Sequence, residues 1–274
     1  MRLFLSACLG LFAATSLAMA APAPARPATA GEVALLKEAM KNSDQDTEHW
    51  AYTETMVMRD KKGMVQEETV VRFDPSKPYA EQLTPLKLGG KAPTERQLKK
   101  YRKQGEARGK KLHQDAEARA GKNPDEPPQL SINDDKAALD LDHPLVVQDE
   151  ADRITLEIPL RAEKGSGIPV GKFEIRAQVG KSTRQVERVF VRIKESFRMA
   201  LVAKIKQGEA TIDFTVMDPN FGPVMTSLTG DFGVSLLFIP FNATVTNTRT
   251  DWQRVKAYDE RFNVRMAPLQ LLGF

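Results

Sequence analysis

The chain has 274 residues, with 40 Lys and Arg against 36 Asp and Glu, a formal net charge of +4, 41% hydrophobic and 28% charged residues, and one cysteine. Such a balance belongs to an ordinary globular protein and excludes a disulfide-stapled miniprotein, a collagen-like fibre and a wholly disordered chain. It assigns no chemistry.

Arg2, an apolar stretch over residues 3–17 and the small-x-small site Ala18-Met19-Ala20 predict a secretory signal peptide cleaved after Ala20. The stretch is shorter than the ~20 residues a bilayer span requires. Cys8 lies within it, so the exported chain has no thiol for catalysis or metal binding. Residues 21–30, rich in Ala and Pro, are expected to be a flexible spacer. Beyond them, residues 31–274 are expected to form a single domain. Val33, Leu35, Leu36, Ala39 and Met40 recur at helical spacing and predict an amphipathic helix over 32–42, laid against a sheet.

Residues 50–58 and 65–73 read as a hairpin about Lys61-Lys62-Gly63, followed by a short apolar run at 83–88 and the turn signal Gly89-Gly90. Thr94 and Gln97 have the spacing of a capping box and open a basic helical insertion at about 94–122. Residues 95–122 contain ten Lys or Arg and four acids. Their few apolar residues, Leu98, Tyr101 and Leu112, predict contact with the core at the start and extension into solvent afterwards. A flexible linker is expected at 121–130.

After a short apolar patch at 137–141, the chain alternates apolar and polar residues. Ile154, Leu156, Ile158 and Leu160 form one such series, and Phe173, Ile175, Ala177 and Val179 another. Further strands are expected at 186–193, at 199–206 and 210–217 about a turn at Gln207-Gly208, and at 224–228, 234–238, 244–248 and 254–258. The fold class is mainly β with a few helices: nine to eleven strands in a curled antiparallel sheet, an unclosed β-barrel capped by helices.

No catalytic motif is found. His49, His113 and His143 do not share metal-ligand spacing, and there is no phosphate-cradling glycine loop, nucleophile elbow or calcium loop. Neither a metal site nor a cofactor is expected. Asp134, Asp135, Asp140 and Asp142 read as a solvated acidic loop, and residues 218–223 as a wide turn. Glu54, Glu67, Glu68 and Asp213 lie on or beside strands and would support an envelope hydrolase if two faced one cavity. Outward-facing strand charges are the ordinary alternative.

The basic helix offers Arg96, Lys99, Lys100, Arg102, Lys103, Arg108, Lys110 and Lys111. They fit a solvated face or an electrostatic docking face for anionic headgroups or an envelope protein, each cation near such a bilayer contributing ~1 kcal/mol. Export argues against a nucleic-acid partner. Many Met and aromatic side chains on an incompletely covered sheet would fill a core or line a lipid-sized pocket.

An exported chain with an opening helix, a Trp/Tyr-rich hairpin and a closing meander resembles the periplasmic lipoprotein-carrier superfamily, the LolA/LolB-like fold. The likeness rests on Val33-Ala34-Leu35-Leu36-Lys37, Trp50-Ala51-Tyr52-Thr53, Arg188-Val189-Phe190-Val191-Arg192, Phe214-Thr215-Val216-Met217-Asp218 and Trp252-Gln253-Arg254-Val255-Lys256-Ala257-Tyr258. These are strand patterns and an order of elements over the mature chain; the long basic insertion departs from the carriers. The resemblance implies a periplasmic, non-enzymatic lipid or lipoprotein carrier whose partners are acyl chains held in an apolar cavity. Trp50, Tyr52, Phe173, Ile175, Ile212 and Phe214 would line or support that cavity. The alternative functions are an envelope scaffold or stress-regulatory module docking through the basic helix, and the hydrolase.

Overall fold

The computed structural model describes residues 24–43, 47–119, 129–132, 135–162, 168–198, 203–236 and 239–261. The expected signal peptide, with Cys8, and residues 121–128 of the expected linker lie outside them. Within them the order is β1 (Arg26–Pro27), α1 (Ala30–Ser43), β2 (Trp50–Asp60), β3 (Val65–Phe73), β4 (Leu83–Leu88), α2 (Glu95–Arg119), β5 (Gln129–Ile132), β6 (Asp135–Leu139), β7 (Leu145–Asp149), β8 (Arg153–Glu157) and β9 (Leu160–Ala162). There follow β10 (Phe173–Gly180), β11 (Gln185–Ile193), β12 (Phe197–Arg198), β13 (Ala203–Thr215), β14 (Val224–Leu236) and β15 (Ile239–Arg254).

Twelve strands form one antiparallel sheet in the order β1-β7-β8-β10-β11-β13-β14-β15-β2-β3-β4, with β12 attached to β13. The sheet is unclosed, ending in β1 and β4. Each edge strand contains a proline, Pro27 or Pro85, which cannot donate to a further strand and so discourages edge-to-edge pairing. A second sheet, β5-β6-β9, has three strands.

The registers sort the large sheet into two unlike faces. Ile175, Val191, Ala210 and Gly230 lie in successive register across β10, β11, β13 and β14, and Val245 and Met58 continue the row on β15 and β2. One residue along, Arg192, Glu209, Asp231 and Thr244 form the corresponding row on the opposite face. Thr246 and Thr248 extend that polar face along β15.

Both helices lie on the apolar face. α1 packs on β10 and β11, burying Leu36 and Ala39 completely among Ile154, Leu156, Ile175, Ala177 and Val179. A capping box starts it: the Thr29 amide donates to Glu32 Oε2 at 2.7 Å and the Glu32 amide to Thr29 Oγ1 at 3.4 Å. The small sheet contributes Ala137 and Leu160 to a second cluster with Phe173, Phe197 and Ile193. At the other end, α2 packs against β4 and the turn at Tyr79–Glu81. Neither helix packs extensively on β13, β14 or β15.

Several expectations need correction. Arg26 and Pro27, assigned to a spacer, pair with Val146 and Leu145 of β7, held by Arg26 ion pairs to Glu32 and Asp149. No turn divides residues 199–217 at Gln207-Gly208, because β13 runs through with a register shift there. β14 and β15 are likewise single long strands where two short ones each were expected. Gly208 and Gly230 are strand glycines that make room for neighbours: a Cβ on Gly230 would stand 2.7 Å from the Phe232 ring, and one on Gly208 2.9 Å from Ile193.

The basic helix does not leave the body after its first turn. Its Thr94–Gln97 capping box forms, the Thr94 amide donating to Gln97 Oε1 at 2.8 Å. Leu98, Tyr101, Gly105, Arg108, Gly109 and Leu112 then turn inward, and Gly105 and Gly109 lie so close to Tyr79 that a Cβ at either would overlap it. Gln129 and Leu130, expected in the linker, belong to β5.

Candidate functional site

The start of β2 builds an aromatic and arginine cluster with β3, the end of β15 and the middle of α2. Alternation along β2 puts Trp50, Tyr52 and Glu54 on the apolar face, and register adds Phe73 beside Tyr52 and Arg249 beside Glu54. A bulge in β15 after Thr250 then changes what that strand presents. Asp251 takes a left-handed backbone with φ of 53°, and its carbonyl accepts a 2.8 Å hydrogen bond from Arg72. Trp252 thereby joins the cluster, its ring centroid 4.9 Å from Tyr52 and 6.2 Å from Trp50, and its indole N–H donates to the Arg249 carbonyl at 3.1 Å.

The wide turn at 218–223 supplies a further ring. Asp218 Oδ1 accepts from the Asn220 amide at 2.9 Å, and Phe221 meets Trp50 edge-on at 6.3 Å. Arg254 lies over both, 3.6 Å from the Phe221 centroid and 5.2 Å from Trp50. Arg249 stacks on Tyr52 at 4.5 Å and Arg108 on Phe73 at 4.7 Å.

These residues surround a cavity of about 150 Å³ lined by Glu48, Trp50, Tyr52, Phe73, Leu83, Arg108, Val224, Met225, Arg249 and Trp252. Arg108 is fully engaged at its tip: Nη1 donates to Gln82 Oε1 at 2.6 Å and Nη2 forms an ion pair with Glu48. Arg249 is not. Its Nε donates to Glu54 Oε2 at 3.0 Å, while its two Nη groups make no hydrogen bond among the described residues. Trp50, only 5% exposed, has a buried indole N–H with no acceptor. Burial raises the pKa of Tyr52 and keeps its phenol protonated. The cavity therefore combines flat apolar walls with the spare donors of Arg249, a combination suited to a flat group carrying an acceptor.

Beside the cavity, an apolar trough occupies the part of the face left open between the helices. It comprises Met56 and Met58 on β2, Val245 on β15, Leu228 and Phe232 on β14 and Ile212 on β13, all half-buried or, for Phe232, 38% exposed. Asn247 is its polar exception, with Oδ1 buried and lacking a donor. At the far ends of these strands is a groove of about 560 Å³ lined by Ile193, Gly208, Phe232 and Ala243 together with Lys61, Arg192, Glu209 and Asp231.

Of the six expected pocket residues, Trp50 and Tyr52 line the small cavity and Ile212 lies in the trough. Phe173 and Ile175 are instead core residues beneath the small sheet and α1, and Phe214 packs against the α1 cluster. Arg108, assigned to the docking face, points inward. Arg96, Lys99, Lys100, Arg102, Lys103, Lys110 and Lys111 are exposed, and none forms an ion pair among the described residues. Arg249, Trp252, Phe221 and Glu48 were not singled out as site residues by sequence; only the pairing of the chain's two tryptophans offered a hint.

The named carboxylates divide between the two faces. Glu54 and Glu67 share the apolar face, in register with Arg249 and Met58, while Asp213 is on the polar face, bound to Arg188 at 2.6 Å and Ser227 at 2.8 Å. Burial opposes ionisation of Asp213, but these donors outweigh it and lower its pKa. Glu68 is in register with Val57, also on the polar face. Each histidine has a separate acidic partner: His49 with Glu260, His113 with Asp259 and His143 with Asp140. Asp140 also approaches Arg161, and Asp142 pairs with Lys37 at 2.5 Å. No helix among the described residues is long and apolar enough to cross a membrane.

No protein-family model matches the chain, and no curated protein sequence is detectably similar to it.

Proposed function

We propose that the protein is a non-enzymatic, periplasmic carrier of acyl chains, taking a lipid or the lipid anchor of a lipoprotein onto its open sheet. The observation that carries this reading is the trough between α1 and α2: a largely apolar stretch of one face of a twelve-stranded sheet, on whose middle strands neither described helix packs extensively. Strands stand ~4.8 Å apart, so β13, β14, β15 and β2 present a strip roughly 15 Å wide. From Tyr52 to Met58 the strand rises about 20 Å, comparable with an extended long-chain acyl group. Each acyl methylene withdrawn from water contributes ~0.8 kcal/mol, so about fifteen supply on the order of 10 kcal/mol without any catalyst. Adaptable Met56 and Met58 suit a ligand of variable shape.

The test is uptake of a diacylated lipopeptide by delipidated protein, followed by native mass spectrometry. A one-to-one adduct is expected, with competition by phospholipid; a chain that stays ligand-free at saturating lipopeptide overturns the reading.

A second reading concerns delivery. Seven exposed cations with no acidic partner among the described residues lie on the outer side of α2, which is suited to docking on anionic headgroups. This would bring the helix-bearing face, and with it the trough, close to a bilayer.

A further inference from the structure

We infer that the cavity at Trp50 and Arg249 is a carboxylate receptor, so that the ligand is a single-chain fatty acid lying head-first in the cavity with its tail along the trough. The inference rests on the acyl-chain reading of the trough and adds the chemistry of the head.

Volume separates the two parts of the site. At about 150 Å³ the cavity is half the smallest volume usual for a drug-sized ligand, and a cavity of that order accommodates one benzene-sized group. It cannot enclose an acyl chain. It can take a carboxylate and the first few carbons.

Donors separate head from tail. The spare donors that reach the cavity belong to Arg249, whose Nε is taken by Glu54, so an oxygen placed against its outer edge is favoured. Arg249 keeps both Nη groups free of hydrogen-bond partners among the described residues while Tyr52 and Glu54 fix its plane, leaving the edge that matches a carboxylate bidentately. Charge limits the anion. Two of the nearby cations, Arg108 and Arg249, are already offset by Glu48 and Glu54, which favours a monoanion over a phosphate dianion. Geometry supplies the direction of the tail: on β2 the residues of the same face run from Tyr52 through Glu54 to Met56 and Met58, and across from the last two stand Asn247 and Val245. Donors lie at one end of the line and thioethers at the other.

The protein carries its own probe, since its only two tryptophans, Trp50 and Trp252, both line the cavity. Titration of delipidated full-length protein with palmitate, hexadecanol and hexadecyl phosphate, read by tryptophan fluorescence and by calorimetry, tests the inference. Palmitate should quench and bind at least tenfold tighter than hexadecanol, in line with a charge-assisted pair of hydrogen bonds. Arg249→Gln should remove most of that preference, with circular dichroism and denaturant unfolding reporting whether the fold is intact. Equal affinity for palmitate and hexadecanol, or calorimetric binding of palmitate with no tryptophan response, overturns the carboxylate receptor and leaves the acyl trough standing. Tighter binding of hexadecyl phosphate than of palmitate reassigns the head and equally overturns it. Failure of all three amphiphiles to bind brings down the acyl reading itself.

Discussion

Glu32 illustrates how one side chain can serve three structures. Its carboxylate caps α1 through the Thr29 amide, pairs with Arg26 of β1 at 2.7 Å, and so ties the sheet edge to the helix start. The Arg26 hydrogen bond is the main cause of a pKa lowered from 4.5 to about 2, with the Thr29 bonds adding to it and desolvation opposing. A carboxylate whose pKa falls on folding stabilises above its unfolded value and loses that contribution as pH drops through the folded one. Here the window runs from pH 4.5 down to about 2. Since the Arg26 side chain is 45% exposed, screening holds the contribution to about 1 kcal/mol. Denaturant unfolding of Glu32→Gln should therefore show a deficit of about 1 kcal/mol at pH 7 that closes as the pH approaches 2. A deficit independent of pH would mean that the ionised form does not matter. At this scale Trp50 and Tyr52 were legible because strand alternation alone places them on the apolar face. Arg108 was not, since its neighbours in sequence are solvent-facing cations and only the helical period groups it with Leu98, Tyr101, Gly105 and Leu112.

Among elements, α2 is where local composition misleads most. A helix so rich in charge reads as solvated, yet two glycines four residues apart cost about 1 kcal/mol each in a helix interior and signal that something approaches closely. That something is Tyr79, whose hydroxyl bonds Asp259 and lies 3.3 Å from His113 Nε2. Desolvation, then the Asp259 bond, raise its pKa well above the ordinary phenol value. In β13 and β14 glycine misled in the opposite direction: an alternating pattern broken at Gly208 resembles a turn, and only the cross-strand presence of Phe232 distinguishes a packing notch from a reversal of the chain. The outward side of α2 makes its own prediction. Changing Lys99, Arg102, Lys103 and Lys110 together to Gln should lower partitioning onto phosphatidylglycerol vesicles at least a hundredfold in a sedimentation assay, at ~1 kcal/mol per charge. Binding should also vanish in high salt or on phosphatidylcholine alone. Unaltered partitioning would mark this face as merely solvated.

For the whole molecule, the two-sidedness of the sheet governs both stability and uptake. Val245 and Thr248 lie three residues apart on β15 and face opposite ways. Val245→Lys puts a charge into the trough and should weaken lipopeptide binding more than tenfold, whereas Thr248→Lys should leave it within twofold and change stability by less than about 0.5 kcal/mol. Similar losses from both would show that the bound chain does not use the helix-bearing side. The open antiparallel architecture was readable from the alternating runs in the second half of the sequence. The gap between the helices was not, because it depends on where α1 and α2 come to rest, and amphipathicity gives a helix a sticky side without giving it an address.

The two covers are fastened in different ways. α1 is held by Leu36 and Ala39, sunk among aliphatic side chains, with ion pairs from Glu32, Lys37 and Glu38 around its rim. α2 adds directed contacts to its packing on Tyr79: Arg108 grips Glu48 and Gln82, and Tyr79 and His113 meet at Asp259, at the rim of the cavity. Arg108 and Glu48 both line the cavity and fasten α2, so whatever enters there meets side chains that also hold its cover.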